Sequence, residues 1–367
     1  VSMGLLAVIA VPLWVLQLTG AVHLPLALPA LYWHQHEMLF GFLTAAIAGF
    51  LLTAVCVWTQ TERTCGTRLF LLWLVWLAGR LLLTFGAGAP AWLVHSVNLA
   101  FLPLVMLDTG WRVWQAKQTR QVMILVVLGL LWAMQIGFVL RLNPVYGHGA
   151  LIMALALISI VGGRITPAFT RGGLQRLGLA PDQVRTTPKL DLAVLVTMAL
   201  LLASMLLGWP AAAGRLALVA GVLTLIRLYG WKGWKVRSIP LLWVLHQSIL
   251  WVPIALLLLA GNVFLGWPSN AWSHAAGTGA IGCLVLGVVA RVSLGHTGRP
   301  LVLPKGLILA FVAIQLAALV RVITAFGLLP WPTGIGTSSV LWTLAYGLFL
   351  FRYTHMLASP RADGRAG

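Results

Sequence analysis

The sequence predicts an all-α, polytopic membrane helix bundle of about twelve transmembrane helices with both termini cytoplasmic. Three observations carry this reading. Hydrophobic residues make up 60% of the 367-residue chain and charged residues only 8%, with a mean hydropathy of +0.98. A soluble globular protein carries roughly 25% charged residues, so too few polar side chains exist to cover a water-facing surface. Apolar runs of helical length then recur twelve times, each near the ~20 residues that one span requires. Finally, twenty of the 24 Lys and Arg fall in alternate connections, which is the pattern of topology signals.

In chain order the runs cover about 3–19, 36–58, 68–86, 91–111, 121–141, 148–166, 190–208, 211–229, 240–265, 272–293, 304–327 and 336–357. Tight connections such as Gly86-Ala-Gly-Ala-Pro90, Gly208-Trp-Pro210 and Gly266-Trp-Pro268 separate pairs of spans and leave no room for extramembrane domains. A single transmembrane domain over 1–367 is therefore expected. Span 6 is expected to end in the segment Gly162-Gly163-Arg164-Ile-Thr166-Pro167, and span 10 in Gly295-His296-Thr297-Gly298-Arg299-Pro300, because Gly followed by Pro stops a helix.

The basic clusters follow spans 2, 4, 6, 8 and 10 and recur in the C-terminal tail, where Arg352, Arg361 and Arg365 lie. The positive-inside rule places these connections, and both termini, on the cytoplasmic side. The same dispersal argues against nucleic acid as a partner despite a formal charge of +18. The chain opens at Val1 without Met or a charged leader, which predicts a trimmed N-terminus rather than a signal peptide. Cys56, Cys65 and Cys283 show no metal-ligand spacing and read as reduced, structural cysteines. Trp residues such as Trp33, Trp92, Trp209 and Trp331 sit near span ends, as an aromatic belt requires.

With this topology His23, His34, His36, His95, His148 and His274 fall at the outer side, while His246, His296 and His355 fall at the inner side. Neutral imidazole is a good ligand for iron, copper and zinc, and polar groups within a bilayer are costly unless partners compensate them. Histidines from several helices at one depth therefore point to a haem or metal site; solvation at the headgroups is the alternative for any single one, His23 above all. The densest pair lies in Trp33-His34-Gln-His36-Glu37-Met-Leu-Phe-Gly41-Phe42. On a regular helix His34 and His36 point about 200° apart, so they cannot chelate one ion from the same turn. His34, His36 and His274 are the candidate metal ligands. Glu37 is expected to orient an imidazole by accepting its second N–H, to relay protons, or to pair with Arg80. Gly41, Ala45 and Gly49, and likewise His274, Thr278 and Gly282, form small-residue stripes that suit either close helix packing or a flat macrocycle. His246 and His296 could serve a second, inner haem, with Arg299 holding a carboxylate.

No Walker loop, G-x-G-x-x-G, H-E-x-x-H or C-x-x-C-H occurs, which removes support for nucleotide hydrolysis, zinc proteolysis and covalent c-type haem.

Four segments together resemble the NnrS family. They are the run from Trp33 to Phe42 with the following Ala-Ala-Ile-Ala-Gly-Phe-Leu-Leu-Thr-Ala; Leu77-Ala-Gly-Arg80; Gly162-Gly163-Arg164 with Pro167, Phe169 and Thr170; and Arg291-Val-Ser-Leu-Gly-His296-Thr-Gly-Arg299-Pro300. They occur in order from about residue 25 to 350. The resemblance implies a twelve-span bacterial inner-membrane protein containing haem and copper, linked to denitrification and nitric oxide stress; the leading hypothesis is a haem b protein, with or without copper. It singles out His34, His36, His148, His246, His274, His296 and Arg299 for the cofactor, with Glu37, Arg80 and Arg164 as supporting or proton-relay groups. Asn98 stands where an acidic residue is expected, and His95 and His355 match no family motif. The expected partners are nitric oxide or a related small molecule and the lipid bilayer; a quinol joins them only in the version that makes the chain a quinol-linked reductase or oxidase. A haem-dependent oxidoreductase is one form of this reading, and a transporter or metal/haem delivery protein with Glu37 as its coupling site is the alternative.

Overall fold

A computed structural model of the chain describes residues 1–364, the side chain of Arg120 excepted, so Arg365 of the basic tail lies outside the described residues. Twelve principal helices follow one another: α1 (Ser2–Leu18), α2 (Ala30–Thr59), α3 (Gly66–Phe85), α4 (Ala91–Gln115), α5 (Val122–Arg141), α6 (Pro144–Arg176), α7 (Pro188–Leu206), α8 (Pro210–Gly230), α9 (Pro240–Leu265), α10 (Ser269–His296), α11 (Leu307–Ala325) and α12 (Trp331–Ala358). No strand occurs among the described residues. Eleven of the twelve are long and apolar enough to cross a membrane. Helix α1, at 17 residues, reaches about 26 Å, a little short of the ~30 Å hydrocarbon layer. The chain is thus a multi-pass membrane protein.

Helix α6 departs most from expectation. It does not stop near residue 166 but runs to Arg176 with Pro167 inside it. A proline removes one backbone hydrogen bond and presses on the carbonyl four residues back, which here belongs to Gly163. The extra turns are secured by apolar packing, since Leu174 is wholly buried with Val184, Val236 and Leu242, and Phe169 and Ile239 rest against them. Helix α2 begins six residues earlier than hydropathy suggested, directly after Pro29. The polar run His34-Gln-His36-Glu37 had masked this turn, yet Trp33 within it is almost wholly buried.

Helices α2 and α10 share an interruption. The first is α-helical over Ala30–His36, π-helical over Glu37–Phe42, and α-helical again from Leu43. The second is α-helical over Ser269–His274, π-helical over Ala275–Gly282, and α-helical again from Cys283. In each a histidine is the last residue before the wider turn. Such π segments are rare, and they are frequent at functional sites.

The chain divides into two compact units, one of Ser2 and Ile9–Met153, the other of Val1, Met3–Val8 and the residues from Ala154 on. In the first, α2 packs on α3 and α4, and α4 on α5. Its α2–α3 connection is tied down where Thr64 donates to Asp108 (2.9 Å), itself paired with Arg112 (3.2 Å). In the second, α7, α8 and α9 pack in series and α9 lies against α10, which meets α11 and α12. Helix α9 ends at Gly266, whose φ of +68° suits a residue without a side chain.

Candidate functional site

The first unit holds a buried polar cluster built from four helices. His36 and Glu37 come from α2, Arg80 from α3, Asn98 from α4 and Gln135 from α5, and all five are buried. Arg80 Nε lies 2.9 Å from Glu37 Oε2 and 3.0 Å from Oε1. Its Nη1 donates to the Phe40 carbonyl (3.3 Å) and its Nη2 to Asn98 Oδ1 (2.6 Å). Asn98 Nδ2 donates to the Val94 carbonyl at 2.8 Å. Gln135 Nε2 donates to the Asn98 carbonyl (3.1 Å) and lies 3.3 Å from His36 Nε2. With its amide hydrogens facing both acceptors, Gln135 leaves the His36 proton on Nδ1, 3.7 Å from Glu37 Oε1. That separation is too long for a hydrogen bond, yet it sets the carboxylate beside the ring.

A buried ion pair is tolerable only when its remaining donors and acceptors are met. Glycines make this possible here. A Cβ on Gly41 would come within 2.9 Å of Glu37 Oε2 and 3.2 Å of the Arg80 side chain, and one on Gly79 within 2.8 Å of Asn98 Oδ1. The π segment supplies the rest. Its wider turn frees carbonyls, and α3 takes them: Arg80 bonds Phe40, while Trp76 Nε1 bonds Gly41 at 2.9 Å. Trp76 and Arg80 are four apart and so share a helix face.

His95, three residues before Asn98 on α4, lies within electrostatic range of His36. The Nδ1 atoms of His36 and His95 are buried and have no hydrogen-bond partner among the described residues. The ring of His36 packs between Phe40 and Phe138, with centroids 5.2 and 6.3 Å away. His34 diverges from it and stacks on Trp14 at 4.7 Å, nearly parallel. The helix is regular at this point, and the two histidines face different partners. His148, also in this unit, is half-buried near the start of α6.

The remaining expected residues belong to the second unit. His274 is half-buried, with Nδ1 2.7 Å from the Asn270 carbonyl. The glycines that follow it are covered by aromatic rings: Trp251 lies 2.5 Å from where a Cβ of Gly279 would stand, and Trp342 fills the place before Gly282. Tyr346 donates to the Gly282 carbonyl at 2.7 Å, so this stripe serves helix packing. His246 Nε2 lies 2.8 Å from Thr170 Oγ1. Arg164, His296 and His355 are exposed, and Arg299 Nη1 reaches the carbonyls of Thr297 and Met356 at 3.4 and 3.5 Å. The tail returns over this turn: Arg361 donates to the His296 carbonyl (2.9 Å), and its hydrogen bonds to Asp363 hold its guanidinium above the ordinary value.

The Gly162-Gly163 segment has a separate explanation. Arg227 occupies the space a side chain on Gly163 would need, donates to Asp191 (2.5 Å) and to the Ser159 carbonyl (3.0 Å), and lies over the Trp231 ring. Sequence reasoning did not pick out Arg227, Asp191, Gln135 or His95 as site residues. Gln135 was detectable as an amide inside an apolar run, and His95 by its three-residue spacing from Asn98.

The fold and this cluster define a multi-pass helical membrane protein whose polar chemistry lies within the span region instead of in an extramembrane domain. A family model described as NnrS protein matches residues 1–361, and the chain belongs to the NnrS family. No curated protein and no solved structure matches it.

Proposed function

We propose that the chain is a bacterial inner-membrane haem b protein that binds or processes nitric oxide or a related reactive nitrogen species, and so confers tolerance to nitrosative stress. Membership of the NnrS family fits a nitric-oxide-related membrane protein. The observation that supports the haem reading is His36, wholly buried beside a neutralised Glu37–Arg80 pair, with His95 on α4 offering a buried Nδ1 that has no hydrogen-bond partner among the described residues.

The donor set fits haem better than a metal held by protein alone. Haem iron takes four donors from its own ring and needs only one or two imidazoles. Among the described residues no group of three His, Cys, Asp or Glu side chains could hold a metal ion, so copper draws no support from the geometry. His95, or His36 through the Nε2 that faces the Gln135 amide once that amide turns aside, would hold the haem. A bound ferrous haem supplies an iron atom with high affinity for nitric oxide.

The chain's own residues do the remainder. Glu37 sits beside His36 Nδ1 and biases the orientation of the ring. Arg80 balances the Glu37 charge, Asn98 positions Arg80, and Gln135 fixes the imidazole from its other side. Apolar helices around the cluster dissolve an uncharged diatomic readily and exclude ions. The transporter alternative draws less support, because Glu37 is already engaged by Arg80.

The test is the Soret spectrum and pyridine-haemochrome content of protein purified after haem-replete expression. A Soret band that shifts when nitric oxide is added to the reduced protein is expected. Absence of any Soret absorbance would overturn the reading.

A further inference from the structure

In the second unit, the turn between α8 and α9 forms an open cleft of about 340 Å³. Ligand pockets run from about 300 to 1,000 Å³, so the cleft accommodates one ring-sized headgroup. Its walls include Tyr229, Trp234, Trp243 and Gln247, with His246 at its inner side and Leu225 and Leu250 at its edge. His246 lies six residues after Pro240 at the start of α9, about 9 Å along the helix. This is the level where an amphipathic molecule keeps its headgroup while its tail enters the hydrocarbon.

The hydrogen bonding around His246 selects the ligand. Thr170 has one hydroxyl hydrogen, which it donates to the Thr166 carbonyl at 2.7 Å. Its Oγ1 therefore accepts from His246 Nε2–H at 2.8 Å, and this tautomer leaves Nδ1 as a bare acceptor. Nδ1 has no hydrogen-bond partner among the described residues, and the ring lies close to Gly233, where a Cβ would stand 2.5 Å from Nδ1, 2.6 Å from Cγ and 2.9 Å from Cε1. A bare acceptor repels phosphate oxygens and welcomes an O–H donor. The nearby Lys232 ammonium is already seated over the Tyr229 and Trp234 rings, at 4.2 and 5.1 Å.

We infer that this cleft binds the headgroup of a lipid-soluble hydroquinone. One hydroxyl donates to His246 Nδ1, the flat ring lies among the aromatic walls, and the Gln247 amide is available to the second oxygen. The tail leaves along the exposed Leu225 and Leu250. The inference uses no residue of the His36 cluster and stands apart from the haem reading.

The test is calorimetric titration of the purified full-length protein with decylubiquinol, decylubiquinone and dihexanoyl phosphatidylglycerol. Saturable binding is expected, with the quinol about tenfold tighter than the quinone, the worth of one hydrogen bond. Gly233→Ala, whose methyl would displace the His246 ring, and His246→Phe, which keeps an aromatic ring but no acceptor, should each weaken quinol binding about tenfold. His355→Ala, at an exposed position with no assigned role, should leave it unchanged. No saturable quinol binding, or equal affinity in the wild type and both variants, overturns the inference. Binding of the phosphatidylglycerol in place of the quinol also overturns it and makes the cleft a lipid site.

Discussion

Arg80 and Glu37, 43 residues apart in sequence, meet at 2.9 Å in the interior of the first unit, with Arg80 6% and Glu37 1% exposed. The guanidinium does more than neutralise the carboxylate, since it also bonds a carbonyl of the π segment and the Asn98 amide. One side chain thereby ties α2, α3 and α4 together.

Removing one member of this pair strands the other without a partner. Glu37→Leu or Arg80→Leu should each cost about 3–5 kcal/mol, whereas the double variant Glu37→Leu/Arg80→Leu should recover part of that loss. Thermal unfolding in detergent measures this. Additive losses in the double variant would show that the two groups are not coupled.

The glycines around the pair are expected to resist enlargement in proportion to the space before them. Gly41→Ala and Gly79→Ala place a methyl group within 3 Å of Glu37 or Asn98 and should cost about 1–3 kcal/mol. Gly49→Ala meets nothing within 4 Å and should be neutral or stabilising by up to about 1 kcal/mol. The same unfolding assay compares the three.

Haem content should follow His36 and His95. His36→Ala and His95→Ala are expected to lower haem per chain by at least about half, on the reasoning that iron held by one or two axial residues is lost with them. His355→Ala, at an exposed position near the end of α12, should leave it unchanged. Pyridine-haemochrome analysis decides, and equal content in all variants would remove His36 and His95 from the site.

Orientation is open to direct labelling. Cys65 is exposed between α2 and α3, whereas Cys56 and Cys283 are buried. If the basic connections face the cytoplasm, a membrane-impermeant maleimide should modify Cys65 in inside-out vesicles only. Modification in right-side-out vesicles would reverse the topology.

Helix number and order were legible because hydropathy is a local, additive property, and a bilayer demands that each span be apolar over a set length. The His34/His36 divergence was equally legible, as it follows from helical periodicity. Where polar residues belong inside a span, as at His34-Gln-His36-Glu37, the same method placed the helix start six residues late. Where glycine and proline stand together at 162–167, it ended α6 about ten residues early. The local stop signal there is outweighed by packing of Leu174 with residues far along the chain.

Sequence by itself determined the membrane class, the helix count and the polar residues from which a site is to be drawn. Only the tertiary structure decided that Glu37 meets Arg80, that Asn98 and Gln135 complete the cluster, and that His95 approaches His36 while His34 turns away. It also decided the π segments, whose freed carbonyls are taken by Trp76 and Arg80 from a neighbouring helix. The physical reason is that spacing along one helix sets the direction in which a side chain points. The partner it finds there, and the cost of leaving it without one, depend on helices joined to it only through space.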